Sequence, residues 1–289
     1  MRKRTITLIA GPTASGKSDF ALKLAQNDGS LIVNADSMQV YSVLRIITAR
    51  PGEKDMADID HYLYGYVAPN EYYSTGRWLK DVANFLDESG DTPLIFVGGT
   101  GLYFKALTEG LAQIPDIPQA VREHWRQRLK AEGASELHKI LAQVDNCLAA
   151  RVNSRDGQRI IRGLEVYEVT GKPLSYWHNR KTKPLLADET VDKLLLIPER
   201  ELVYRRIEKR FDHMVENGAL EEVKNLVQLK LNPQMPAMKA IGVPELIRVL
   251  EGSETLDAAI FSAKIETRRY AKRQTTWFRH QFGSDWKRI

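Results

Sequence analysis

Apolar residues along this chain follow two rhythms. Four short apolar runs, ITLIA at 6–10, LIVNA at 31–35, LIFVG at 94–98 and KLLLIP at 193–198, are separated by helical or loop sequence. Runs of this length without strict alternation suit strands covered on both faces, as in a parallel sheet flanked by helices. Between Pro115 and about Lys183 the runs stop. There AVREHWRQRLKAEG at 120–133 and QRIIRGLEVYEVTG at 158–171 carry apolar residues three and four apart and end at a glycine, the pattern of amphipathic helices with a C-terminal stop. Pro115 and Pro118 in QIPDIPQ read as the linker into this segment. The expected fold class is therefore α/β: a parallel-sheet core from residues 1–114 and 184–289, interrupted by an all-helical insertion at 115–183. A last helix at roughly 255–282 is expected to pack on the core with its cations outward.

Sheets of this kind hold ligands beyond the carboxyl ends of their strands, and all four run ends are polar or glycine-rich. The first leads into G-x-x-x-x-G-K-S: Gly11, Pro12, Thr13, Ala14, Ser15, Gly16, Lys17 and Ser18, ahead of an Ala/Leu-rich helical stretch. The glycines let backbone N–H groups turn inward as an anion nest at a helix N-terminus. Lys17 supplies a point charge for the outer phosphate, and the Ser18 hydroxyl suits a Mg²⁺ bridging phosphate oxygens. Such a nest accepts any pair of linked phosphates, so ATP and other diphosphates stay open. The second run ends at Asp36, Ser37, Met38 and Gln39, the third at Gly98, Gly99, Thr100 and Gly101, and the fourth leads to a helix bearing Arg205, Arg206 and Arg210. Asp36 has three competing uses: ordering Mg²⁺ for phosphoryl transfer, accepting a proton as a general base, or capping the following helix.

Charge sharpens the picture. The 289 residues carry a net charge of +5, concentrated in two blocks: 13 Lys/Arg against 7 Asp/Glu over 119–183, and 8 against 2 over 264–289, leaving −7 for the rest. Both blocks place aromatics among the cations, as in YWHNRKTK at 176–183 and RRYAKRQTTWFRH at 268–280. Cations follow a phosphate backbone and flat side chains stack on unpaired bases, so a nucleic-acid partner is expected. The single cysteine, Cys147, permits no intramolecular disulfide and suits a reducing compartment. The basic start runs at once into the first apolar run, which reads as a strand, and no stretch approaches the roughly 20 apolar residues of a membrane span. A soluble, cytoplasmic protein without a membrane partner is expected.

Seven blocks in order resemble bacterial tRNA dimethylallyltransferases: GPTASGKS (11–18), ADSMQVY (35–41), VGGTGLYFKAL (97–107), QRIIRGLEVYEVTGKPLS (158–175), RIEKRF (206–211), MKAIG (238–242) and AKRQTTWFR (271–279). The resemblance implies a P-loop kinase-like core, with the inserted module gripping the tRNA anticodon stem-loop. It also implies transfer of a dimethylallyl group from dimethylallyl diphosphate to the exocyclic N6 amine of the adenosine just 3′ of the anticodon, in tRNAs reading codons that begin with U. Diphosphate leaves and ATP is not consumed. Residues 11–18 would hold the diphosphate, with Lys17, Ser18 and Mg²⁺ stabilising its departure. Asp36 would be the base, Thr100 a channel residue touching tRNA, and Arg210 a cation on the diphosphate side. The same resemblance implies tRNA contacts at Asp36, Ser37, Met38, Gln39, Thr100, Arg122, Gln158, Arg159, Ile160, Ile161, Arg162 and Lys239, and a flipped target base; a monomer is expected. Two departures stand out. Val243 and Pro244 replace the usual Tyr-Arg after MKAIG, so a different local loop is expected, and Ile47 in RIITARP replaces a usual glycine.

Overall fold

The computed structural model describes residues 4–56 and 59–289, so the first three residues of the basic start lie outside the described residues. The first three apolar runs become strands β1 (Thr5–Ala10), β2 (Leu31–Asn34) and β4 (Leu94–Gly98); the fourth strand, β5 (Thr190–Leu195), starts three residues before its run and ends within it, and two-residue edges β3 (His61–Tyr62) and β6 (Lys287–Arg288) complete the sheet. The sheet order is β3-β2-β4-β1-β5-β6, and every pairing is parallel. Parallel neighbours require crossovers, and the helices that make them bury both faces.

Successive residues of a strand point to opposite faces, and β1 shows the consequence. Ile6, Leu8 and Ala10 join a core with Trp78, Val82 and Phe85 of α3 (Thr75–Glu88) and Phe104 and Leu107 of α4 (Gly101–Glu109). Ile9 faces the other way, toward Ala21 and Ala25 of α1 (Lys17–Asp28). Trp78 lies stacked on Tyr103 at a 4.1 Å centroid separation, and its indole N–H donates to the Asn34 carbonyl at 3.1 Å, so α3 is anchored to the end of β2. A four-residue helix, α2 (Glu53–Met56), lies between β2 and β3.

β1 sits between β4 and β5, with the chain leaving it in one direction for β2 and β4 and later in the other for β5. That is the topological switch point of an open α/β sheet, and the loop at 11–16 begins there. A separate cluster surrounds Val40, Tyr41 and Leu44, covered by α10 (Arg200–Glu216), α11 (Ala219–Gln228) and α12 (Val243–Leu250). The loop expected to differ at 243–244 is helix. Pro244 sits in the first turn of α12, where its missing N–H costs no hydrogen bond, while the Glu245 carboxylate accepts the Gly242 N–H at 2.9 Å.

The expected final helix is α13 (Leu256–Gln281). Its buried stripe includes Ala259, Ala263, Ala271 and Phe278, but its cations do not all face outward. Lys264 pairs with Asp212 at 2.6 Å and Arg268 pairs with Glu208, both on α10. Two neighbouring helices each bearing charge at the seam reach opposite-charge partners there, which an outward-only arrangement would have forgone.

Residues 109–184 form a compact unit of their own, made of α5 (Gln119–Glu132), α6 (Ala134–Val144), α7 (Asn146–Ala149), α8 (Gly157–Thr170) and α9 (Leu174–His178). Its core is Trp125, Leu137, Leu141, Ile160 and Leu164. The entering and leaving chains clasp each other: Ala112 bridges Lys181, the Thr182 N–H donates to the Leu111 carbonyl at 3.0 Å, and Lys181 pairs with Glu109 at 2.9 Å. The clasp explains why this unit begins ahead of Pro115. Among the described residues no helix is long and apolar enough to cross a membrane.

Candidate active site

The loop at the end of β1 is shaped by backbone constraints. Gly16 has φ 91° and precedes α1 with no side-chain cap; a residue with a Cβ is strained in that conformation. A Cβ on Gly11 would lie 2.8 Å from both the Leu196 carbonyl oxygen and Ser15 Oγ, so only glycine lets the loop run this close to the end of β5. The turn closes through Ser15 N–H to the Pro12 carbonyl at 3.2 Å. Arg206 and Arg210 are four apart on α10 and both reach the loop: Arg206 donates to the Ser15 carbonyl at 2.9 Å and Arg210 to Thr13 Oγ1 at 2.5 Å. Arg205, on the neighbouring side of the helix, is exposed.

The Lys17 ammonium lies 3.4 Å from the Pro12 carbonyl and has its pKa lowered to about 8. Burial is the main cause; Asp36 opposes it and Arg210 adds to it. Burial likewise lowers the pKa of Arg210, with Asp36 opposing. Two cations packed in one desolvated corner constitute a site made for an anion.

Asp36 follows β2 and is held by its neighbours. Its N–H donates to Asn34 Oδ1 at 2.8 Å, and its own Oδ1 accepts the Met38 N–H at 2.9 Å. Asn34 in turn donates to the Asp36 and Leu63 carbonyls, each at 3.0 Å. At the end of β4, Gly98 passes so close to Ala35 that a Cβ would stand 2.0 Å from its carbonyl oxygen. This close approach lets Thr100 reach over: Thr100 Oγ1 accepts the Ser37 N–H at 2.9 Å and lies 3.2 Å from Ser37 Oγ.

A cavity of about 310 Å³ opens between these parts. Asp36, Ser37, Met38, Arg210 and Lys239 line it together with Thr13 of the loop. Thr100 stands behind Ser37 and outside the lining. Gln39 turns away, donating to the Thr48 and Ala49 carbonyls at 2.9 and 3.0 Å, so it braces the 45–49 loop. In the helical unit, Gln158 and Arg159 are exposed and Arg162 is half-buried, 3.7 Å from Glu165. Arg122 donates to the Ile117 carbonyl at 3.2 Å. Ile160 and Ile161 are a different matter. At 0% and 7% exposure their side chains belong to the unit's core, so they do not offer a surface to a partner as the sequence reading expected.

Residues 39–281 match the IPP transferase family, and residues 4–66 match an isopentenyl transferase family. The chain belongs to the IPP transferase family. Among curated relatives, tRNA dimethylallyltransferases from Bartonella henselae and Bartonella quintana are 58% and 56% identical over 99% and 100% of this chain, and over 99% and 98% of their own lengths. The crystal structure of the full-length tRNA isopentenylpyrophosphate transferase from Bacillus halodurans superposes with a TM-score of 0.69 at 30% identity, covering 99% of this chain and 90% of that one. A eukaryotic dimethylallyltransferase acting on tRNA reaches 0.80 at 29% identity over 95% of this chain and 70% of that one.

The sequence reading gave no site role to three residues of α13, of which Gln274 is the most telling. Gln274 of α13 is buried, its Oε1 accepts the Thr13 N–H at 2.8 Å, and its Nε2 donates to the Gly99 carbonyl at 2.8 Å. A single amide thus ties the anion loop to the loop bearing Thr100. The available signal was a polar residue at a stripe position, since Ala271, Gln274 and Phe278 share the buried face of α13. Arg273 and Tyr270, from the same basic block, line the cavity.

The loop's donor set suits a divalent cation that arrives with a diphosphate. It offers the Ser15 and Ser18 hydroxyls, and Ser15 Oγ is buried with no hydrogen-bond partner among the described residues. The described residues contain no cluster of three His, Cys, Asp or Glu groups, so such an ion would draw most ligands from phosphate oxygens and water, as Mg²⁺ commonly does.

Proposed function

We propose that this chain transfers a dimethylallyl group from dimethylallyl diphosphate to the exocyclic N6 amine of the adenosine just 3′ of the anticodon in tRNAs reading codons that begin with U. The observation that carries the reading is the shared cavity: Asp36 and Arg210 face the same space at Thr13 of the anion loop. A donor whose diphosphate rests on residues 11–18 presents its first carbon there. The amine nitrogen attacks that carbon, the carbon–oxygen bond to diphosphate breaks, and the diphosphate leaves with the bonding pair. Asp36 orients the amine and accepts its proton. Lys17 and Arg210 meet the charge growing on the leaving oxygens with donors already in place, the arrangement that lowers a barrier without reorganisation. Ser18 would hold Mg²⁺, which supplies further positive charge to those oxygens when bound. An adenine amine is a weak nucleophile, so holding it at Asp36, with Ser37, Thr100 and Lys239 on the acceptor side, matters as much as removing its proton.

The helical unit supplies cations for the tRNA backbone. Arg122, Arg126 and Arg162 all act on the buried Glu165, whose pKa burial raises while the three arginines pull it down. Arg159 and Arg162 stand on one helix three residues apart. Arg159→Glu combined with Arg162→Gln is expected to raise KM for tRNA and to make its logarithmic salt dependence shallower, by a slope of about one for each phosphate no longer engaged. Donor affinity should not change. Titrating KM against salt for the double variant checks this, and an unchanged slope would remove these residues from the interface.

A phosphoryl-transferring kinase would use the same loop, yet it has no use for a basic helical insertion. The decisive assay incubates the protein with Mg²⁺, unmodified tRNA and either dimethylallyl diphosphate or ATP, then analyses tRNA nucleosides by mass spectrometry. Isopentenylated adenosine at one position with the isoprenoid donor alone is expected; ATP hydrolysis without that product would overturn the reading.

A further inference from the structure

Strands β1 and β4 run in register as far as Ala10 opposite Gly98. Beyond that pair one chain becomes the anion loop and the other the glycine-rich turn that carries Thr100. A strand ladder fixes the spacing of two chains only where they are paired, so these two loops need a tie of another kind. Gln274 spans them from outside the sheet, its Oε1 accepting the Thr13 N–H and its Nε2 donating to the Gly99 carbonyl, both at 2.8 Å.

Each end of this bridge continues into the chemistry. On the donor side, the threonine that Gln274 holds by its backbone holds Arg210 by its side chain, Oγ1 accepting from the guanidinium at 2.5 Å. On the acceptor side, Gly99 lies between the Gln274 amide and the Asp36 carboxylate: a Cβ there would stand 2.5 Å from Gln274 Nε2 and 3.3 Å from Asp36 Oδ2. Asp36 Oδ1 is taken by the Met38 N–H, which leaves Oδ2, on the Gly99 side, for an acceptor amine. Gln274 itself is 7% exposed and stands behind the cavity that Thr13 and Asp36 line, so it acts through the two loops. Its own place is fixed by Ala271 and Phe278, which bury the same face of α13 in the core. A buried N–H and a buried carbonyl must both be met here, and a neutral amide of this reach offers one acceptor and one donor to meet them.

We infer that Gln274 is a positioning residue that sets the separation between the donor's reacting carbon and the acceptor amine. The inference rests on the transferase reading and adds to it what holds the two substrate sides in register. Misplacing two reactants by about 1 Å costs on the order of 10²-fold in rate, while the groups that bind each of them stay intact.

The test is single-turnover prenyl transfer by the wild type, Gln274→Met and Gln274→Asn, with donor affinity, KM for tRNA and thermal unfolding measured on the same preparations. Methionine keeps the length and unbranched shape of glutamine but cannot donate to Gly99, and its thioether is only a weak acceptor for Thr13. Asparagine keeps the amide, is one methylene short of spanning both loops, and guards against loss of folding in the apolar variant. The rate at saturating donor and tRNA is expected to fall about 10²-fold for methionine and by a smaller factor for asparagine, with donor affinity and KM for tRNA each within about twofold of the wild type. A wild-type rate in the folded asparagine variant overturns the inference whatever its melting temperature. A residue that only supports the fold lowers that temperature without slowing the molecules that remain folded. A loss carried by weaker donor binding also overturns it, because Gln274 would then serve the anion loop alone, and a loss confined to KM for tRNA does so from the acceptor side. A wild type that transfers no dimethylallyl group fails differently, because it removes the reaction itself.

Discussion

Asp36→Asn is expected to slow single-turnover prenyl transfer by about 10²–10⁴-fold, the usual contribution of a general base. The substitution separates two roles that alanine would merge. An asparagine keeps an oxygen where Asp36 Oδ1 accepts the Met38 N–H, so the turn after β2 survives and only the charge and its proton affinity go. If Asp36 merely held that turn, asparagine would cost nothing, and even alanine would cost about one hydrogen bond, roughly 1 kcal/mol of stability. The two roles differ by at least an order of magnitude, which single-turnover kinetics resolves easily. Donor binding should stay near normal, because the diphosphate is held by residues 11–18. A near-normal transfer rate in the asparagine variant would remove Asp36 from the proton transfer.

Lys17→Ala is expected to weaken donor binding and to slow chemistry by about 10²–10³-fold together, since the same ammonium meets the diphosphate before and during its departure. The lysine also has a pH signature. Held at about 8 by burial, against an ordinary 10.5, it is charged at neutral pH and loses its proton as pH rises through about 8. Affinity of the free protein for the donor should therefore fall above that pH. In Lys17→Arg the fall should vanish, because a guanidinium stays charged. Asp36→Asn should move it to lower pH, because Asp36 is the group that favours the charged lysine. The sign for stability is the reverse. The folded pKa lies below the unfolded one, so the unfolded chain binds more protons between about 8 and 10.5, and the fold gains stability with rising pH across that window. Measuring donor affinity and thermal stability over the same pH range separates the two trends. A flat affinity profile in the wild type would show that the Lys17 charge does not govern binding.

Much of the site was legible because its chemistry sits at run ends. A strand that stops is followed by whatever the ligand needs, and Gly11 to Ser18, Asp36 and Thr100 could be read in that way. Arg210 was singled out by the resemblance of RIEKRF, whereas Arg206 was legible only as one of three arginines on a helix, and its reach to the loop depended on which face α10 turns. Ile160 and Ile161 were misplaced for the opposite reason. A motif block groups residues by sequence neighbourhood, whereas a helix assigns neighbours to different faces, and these two went to the core. The second basic block was read from composition as a partner surface, but Lys264 and Arg268 are engaged with α10.

What the amino-acid order determined by itself is the local chemistry: apolar runs long enough for buried parallel strands, glycines where the backbone must turn N–H groups inward, and a lysine and a serine at fixed offset behind them. Those follow from interactions between residues near in the chain. Tertiary structure alone decided which distant groups meet. Gln274 closes on Thr13 across 261 positions and on Gly99 across 175, Glu222 pins Ile47 across 175, and α10 lays an arginine and an apolar stripe along one cavity wall. Such meetings depend on how helices pack over the whole sheet, and the energy that selects one packing is spread over the entire core.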